Sequence, residues 1–221
     1  MKSLHILDNK LWFPAVQEAD GEGLLAIGGD LRTERLILAY QKGIFPWYEG
    51  EVPLWWCPDP RFVLFPPELK VSKSMRQVLR ANHFTITCNQ AFESVIEACK
   101  TVPRQGQQGT WITSQIQDAY TQLHTIGLAY SFEAWQNNAL VGGFYGVKMG
   151  GVFFGESMFS RVSNASKAAF ITAVQQWLMP QVALIDCQVH TPHLESLGGR
   201  FISRPQFLAL LDAHIGQPTL G

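Results

Sequence analysis

Two carboxylates stand where strand-forming sequence does not favour them. The segment Leu184-Ile185-Asp186-Cys187-Gln188 sets Asp and Gln, both poor strand formers, inside an apolar run. Residues two apart on a strand share a face, so Asp186 and Gln188 are expected to project together, with Ile185, Cys187 and Val189 opposite. A carboxylate there is costly to bury unless hydrogen-bonded or shifted in pKa, and marks either a reaction centre or a structural Asp satisfied by backbone amides. Glu156 ends the apolar run Val152-Phe153-Phe154-Gly155 and precedes Ser157-Met158-Phe159-Ser160-Arg161. It is expected to pair with Asp186 as an acid/base couple, to bind a ribose hydroxyl or an amine, or to be neutralised by Arg161. Phe144, Phe153 and Met158 read either as the lining of an apolar pocket or as plain core.

Trp47 and Trp111 fall in Gly/Pro-rich loops, where a flat side chain stacks on a nucleic-acid base or packs against a neighbouring unit; packing is the reading for Trp55 and Trp56. Lys73, Arg76 and Arg80 lie within a narrow arc of one helix, a stripe suited to phosphates or simply to solvent. Cys187-x-x-His190-x-x-His193 lacks an evident fourth ligand, and no metal is expected. Arg104-Gln105-Gly106-Gln107-Gln108-Gly109 has its glycines misplaced for an acetyl-CoA pyrophosphate loop, and Gly28-Gly29-Asp30 reads as a turn rather than a phosphate loop.

The elements that must position these groups divide into two regions. Residues 1–65 are dense in Pro, Gly and Trp and carry one short helix, around Glu34 to Gln41, capped by Thr33 and ended by Gly43; they are expected to form a small N-terminal α+β domain. Residues 66–221 read as a larger domain. Its pattern is a helix from Ser72, a strand at Thr85 to Cys88, a helix capped near Asn89, and a helix from Ser114 to Thr125 ended by Gly127. Strands Tyr130 to Trp135, Leu140 to Val147 and Val152 to Gly155 follow as a meander turning at Asn137-Asn138 and Gly150-Gly151. A helix capped by Asn164 and stopped at Met179-Pro180 then leads to the strand Ala183 to Val189. Hairpins followed by helix and strand units predict an α+β fold with a mixed sheet and flanking helices.

With 221 residues and 47% hydrophobic content the chain can bury a substantial core without disulfide staples, and its four cysteines form no C-x-x-C pair. No apolar run approaches ~18 residues, so a membrane partner is not expected, and a reducing cytoplasm is. A formal net charge of -1 means that any polyanion must be met by a local basic patch.

Taken in order, these motifs resemble the leucyl/phenylalanyl-tRNA-protein transferase family, bacterial enzymes that mark proteins for degradation by the N-end rule. The resemblance rests on Gly23 to Leu31 (GLLAIGGDL), Gly43 to Trp47 (GIFPW), Leu54 to Arg61 (LWWCPDPR), Gly109 to Ile112 (GTWI), Phe154 to Arg161 (FGESMFSR), Asn164 to Lys167 (NASK) and Leu184 to Gln188 (LIDCQ). It implies a larger domain similar to the N-acetyltransferase fold, used here without acetyl-CoA or any other cofactor. It implies transfer of Leu or Phe from Leu-tRNA or Phe-tRNA to proteins beginning with Arg or Lys, and because an apolar pocket rejects close isosteres by only ~1–3 kcal/mol, less efficient use of Met is expected. Trp47 and Trp111 would then hold the terminal adenosine, a pocket at Phe144, Phe153, Met158 and Ile185 the amino-acid side chain, and Glu156 the neighbourhood of the aminoacyl end. Asp186 and Gln188 would lie at the reaction centre, and Lys73, Arg76 and Arg80 would meet the tRNA. Phe144 replaces the Met of some relatives and would tighten the pocket; Cys57 stands where Ser is common.

The implied reaction is aminolysis of an ester by an α-amine of ordinary pKa ~7.7–8.0, for which positioning matters as much as deprotonation. Ionised Asp186 is expected to accept a hydrogen bond from the attacking amine, with Gln188 orienting either partner. The competing readings are an acetyl-CoA-dependent N-acetyltransferase and a non-catalytic binder of tRNA ends.

Overall fold

A computed structural model describes residues 4–102 and 112–215. In chain order, β1 (His5–Leu7), β2 (Leu24–Gly28), α1 (Thr33–Gln41), β3 (Phe45–Pro46) and β4 (Leu54–Trp56) come first. Then follow β5 (Arg61–Leu64), α2 (Lys73–Arg80), β6 (Thr85–Cys88), α3 (Phe92–Thr101) and α4 (Ser114–Thr125). The chain continues through β7 (Ala129–Gln136), β8 (Ala139–Met149), β9 (Val152–Ser160) and α5 (Ala165–Ala173). It closes with β10 (Leu184–Gln188), α6 (Pro192–Ser196), β11 (Arg200–Ile202) and α7 (Arg204–Ile215). One sheet runs β1-β2-β4-β3 and the other β11-β5-β10-β9-β8-β7-β6, giving the expected α+β architecture.

Local chemistry explains much of this. Asn137 and Asn138 take φ of 50° and 61°, the paired left-handed conformation of a tight hairpin turn, and β7, β8 and β9 form the meander. Ser72 and Thr113 cap α2 and α4 by accepting the Met75 and Ile116 N–H. Gly43 closes α1 at φ +72°, and a Cβ there would lie 2.8 Å from the Phe207 ring, so the glycine also lets α7 approach.

Several expectations change. Thr33 is not a cap: Arg32 precedes α1 without a side-chain bond. Asn89 (φ +57°) accepts the Ser131 N–H instead, tying the end of β6 to β7, and α3 begins only at Phe92. Asn164 enters α5 in the left-handed conformation with no cap bond. That helix ends at Ala173 and widens into a π turn, Val174–Leu178, before Pro180. Arg61–Leu64, which the sequence puts in the smaller unit, pairs with β10 and β11 in the larger sheet. The break in sheet membership falls at Pro58-Asp59-Pro60 rather than at Phe65-Pro66-Pro67.

The larger sheet has a core on each face. Val63, Tyr145, Phe154 and Leu184 share one with Tyr40, Trp55 and Phe207, so the smaller sheet, α1 and α7 pack continuously with it. Phe62, Phe132, Phe144, Phe153, Ile185 and Cys187 share the other with α5.

Candidate active site

The site begins where two neighbouring strands part. β9 and β10 pair in parallel through Leu184↔Val152, Ile185↔Phe153 and Asp186↔Phe154. Just beyond, each strand holds one residue more than its other neighbour. Against β8, Tyr145 faces Ser157 and Gly146 faces Gly155, leaving Glu156 extra. Against β5, Asp186 faces Val63 and Gln188 faces Phe62, leaving Cys187 extra. Bulges bend and twist the strands that carry them, and two at the same level on adjacent strands splay them. A cavity of about 420 Å³ lies at this fork, within the roughly 300–1,000 Å³ usual for small-molecule sites. Phe144, Met158, Phe170 and Ile185 supply apolar wall, Phe45, Pro46 and Trp47 come from the smaller sheet's edge, and Glu156 and Gln188 are polar.

Glu156 is not paired with Arg161, whose guanidinium donates to the Leu140 carbonyl and lies 5.4 Å from the Phe159 ring. Its Oε1 accepts from the Tyr40 hydroxyl at 2.7 Å and the Gln188 amide at 3.1 Å, and its Oε2 from the Tyr120 hydroxyl at 3.1 Å. The two tyrosine hydroxyls also hydrogen-bond each other. Burial pushes the Glu156 carboxyl up to about 7, with the Asp186 charge adding to the rise, while the donors from Tyr40, Tyr120 and Gln188 oppose it. Proton counting gives this value a structural meaning. When Glu156 is ionised, two tyrosine protons serve three contacts among the three groups. When it is protonated, the carboxyl donates to Tyr120, Tyr120 to Tyr40 and Tyr40 to Oε1, so every contact holds a proton. The site therefore has a carboxylate near neutrality whose proton uptake completes a hydrogen-bond ring.

Asp186 is placed otherwise than the alternation of the strand predicts. The bulge at Cys187 and the left-handed φ of +62° at Gln188 turn Gln188 to the cavity, beside Ile185 and Cys187, and leave Asp186 on the opposite face. Asp186 is fully buried and does not line the cavity. Its Oδ1 accepts from Arg61 Nε at 2.8 Å and from the Gln188 N–H at 2.9 Å, and its Oδ2 from Arg61 Nη2 at 2.7 Å. Asp186 and Gln188 thus meet through a main-chain amide, not side by side in the cavity.

Phe153 is also corrected: it is fully buried behind Phe144, the rings 6.1 Å apart, and is absent from the cavity wall. Phe144 lines the cavity, stacked on Phe132 at 4.8 Å. Trp47 is 43% exposed at the rim, with its carbonyl accepting from Trp56 Nε1. Trp111 and the Arg104 to Gly109 segment lie outside the described residues. Lys73, Arg76 and Arg80 are exposed on α2, which packs against α5, and none forms an ion pair among the described residues. His190 is bonded to Glu195, and among the described residues no group of three His, Cys, Asp or Glu side chains could hold a metal ion.

The sequence reading misses Tyr40, Tyr120, Phe170 and Arg61. Only Arg61 carries a signal, a cation heading the apolar strand Arg61-Phe62-Val63-Leu64 that calls for a buried anion such as Asp186.

The model of the leucyl/phenylalanyl-tRNA protein transferase matches residues 63–212, and that of the family's N-terminal domain residues 29–59. The chain belongs to this family. A leucyl/phenylalanyl-tRNA–protein transferase from Syntrophus aciditrophicus is 55% identical over 94% of this chain and 87% of its own. Another from Flavobacterium johnsoniae is 54% identical over 95% of this chain and 100% of its own. The protein is therefore an aminoacyl-tRNA–protein transferase, an acyl-transferring enzyme. A solved GCN5-related N-acetyltransferase-like protein from Streptococcus suis aligns over 80% of this chain and 68% of its own at 13% identity, with a TM-score of only 0.39. Among the described residues no helix is long and apolar enough to cross a membrane.

Proposed function

We propose that the chain transfers Leu or Phe, and Met more slowly, from aminoacyl-tRNA to the α-amine of proteins beginning with Arg or Lys. The observation that carries this reading is the cavity itself: apolar walls fit for a large aliphatic or aromatic side chain, with Glu156, a carboxyl near pKa 7, among its lining. An apolar pocket separates close isosteres by only ~1–3 kcal/mol, which is why Met is included.

The amine nitrogen attacks the ester carbonyl, a C–N bond forms, and the C–O bond to the ribose breaks. Ionised Glu156 takes the proton that the amine sheds, closing the ring with Tyr40 and Tyr120, and returns it to the departing ribose oxygen. The same carboxylate is the acidic group that meets a cationic acceptor terminus. Gln188 sets the orientation of Glu156, and Asp186 serves the reaction from behind Gln188. Trp47, with Trp111, stacks on the terminal adenosine, and Lys73, Arg76 and Arg80 face tRNA phosphates. Ester aminolysis runs downhill, so the reaction draws on no cofactor.

The test is transfer of labelled Leu from Leu-tRNA to a purified protein beginning with Arg, beside an N-terminally acetylated copy and a copy beginning with Ala. Labelling of the unblocked Arg protein alone is the expected outcome. Equal labelling of the Ala protein would remove the acceptor specificity, and no labelling of any would remove the reading.

A further inference from the structure

Arg61 is fully buried, and its guanidinium lies between two aromatic rings, Phe45 of β3 at 4.7 Å and Phe207 of α7 at 4.6 Å. Nε and Nη2 grip Asp186 bidentately, while Nη1 is buried without a hydrogen-bond partner. For stability alone this is a poor arrangement, since apolar residues of similar volume commonly replace buried ion pairs at no cost, and a desolvated donor is a further penalty. The geometry in front of the pair is the informative part. Gln188 holds a left-handed φ of +62°, uncommon for a residue with a side chain, and the acceptor of its N–H is the Asp186 carboxylate. From that conformation its amide reaches Glu156.

We propose that Arg61 is a positioning residue for aminoacyl transfer: by fixing Asp186 it holds the Gln188 backbone in its left-handed turn and so aims the Gln188 amide at Glu156. Neither Arg61 nor Asp186 lines the cavity, so both act through Gln188. Phe45 contributes both to the cavity wall and to the grip on the guanidinium, so the smaller sheet and α7 bear on the same cation. The inference rests on the proposed transfer reaction and concerns how its polar wall is kept in register.

The experiment replaces the pair by apolar residues, Arg61→Met with Asp186→Leu, and compares it with Arg61→Lys and the unaltered chain in steady-state transfer from Leu-tRNA. The expected result for the double variant is a melting temperature no lower than that of the unaltered chain, an unchanged KM for Leu-tRNA, and a kcat lower by roughly 100-fold, the cost of a small misplacement at a reacting centre. Arg61→Lys, which keeps the charge but not the fork, should lose less kcat, again at constant KM. A folded double variant with the kcat of the unaltered chain overturns the proposal. So does an unfolded double variant beside an Arg61→Lys protein of full kcat, because the pair would then be a stability element only. Failure of the unaltered chain to transfer Leu would instead sink the functional reading, and is seen in the same assay.

Discussion

In the proposed reaction, the carboxyl group of Glu156, held near pKa 7 in the wall of the cavity, ties the rate of transfer to the protonation of a single side chain. If ionised Glu156 receives the amine proton, single-turnover transfer rises with pH through about 7. Tyr40→Phe removes a donor that favours the charged form, so this rise should move to higher pH. Glu156→Gln should lower kcat by about 10²–10⁴-fold, the usual range for a lost general base, in the same assay. Stability should move the other way. An unfolded carboxyl titrates near ~4.3, so between there and about 7 the native state holds more protons than the unfolded one, and stability declines as pH rises across that window. At pH 8 the Gln variant should therefore melt above the unaltered protein, by at most about 4 kcal/mol in stability terms. Glu133 is a second carboxylate of the larger sheet: it is fully buried, the Thr87 and Ser131 hydroxyls and the Ala91 N–H all donate to it, and it lies outside the cavity.

At the scale of elements, the fork between β9 and β10 is the device that makes a site out of a sheet. Gly146 faces the bulge, and a Cβ there would lie 2.2 Å from the Phe154 carbonyl oxygen and 2.6 Å from the Phe153 ring. Gly146→Ala should therefore destabilise the fold at the upper end of the ~1–3 kcal/mol typical of overpacking, read as a lower melting temperature and a smaller soluble yield. Here the limits of sequence reading are physical. The meander was legible because Asn137-Asn138 and Gly150-Gly151 are conformationally permissive residues between alternating runs. Asp186 and Glu156 stood out because a charge in an apolar strand has to be accounted for. Which of them faces the cavity was not legible, because a bulge shifts alternation by one residue and no residue type announces it; Gln188 adopts a glycine-like φ without being glycine. Tyr40 and Tyr120 were hidden for another reason. Each is a helical Tyr that reads as core, and only the tertiary fold brings both hydroxyls onto one carboxylate.

Across the whole molecule, a net charge of -1 leaves polyanion binding to local patches such as α2. Replacing Lys73, Arg76 and Arg80 by Glu should raise KM for aminoacyl-tRNA with little change in kcat. It should also flatten the dependence of log KM on log salt by about 0.7–0.9 for each phosphate that is no longer neutralised; an unchanged slope would place the tRNA elsewhere. The site itself is assembled from distant parts of the chain: Tyr40 and Glu156 are 116 residues apart, and Arg61 and Asp186 are 125. Phe207, the second ring on the Arg61 guanidinium, follows all of them. No short contiguous fragment contains these groups, and contacts of such sequence separation must overcome a loop-closure cost before they form. During synthesis, Arg61 therefore waits for its anion until residue 186 has left the ribosome, and the second ring over its guanidinium, Phe207, is added later still.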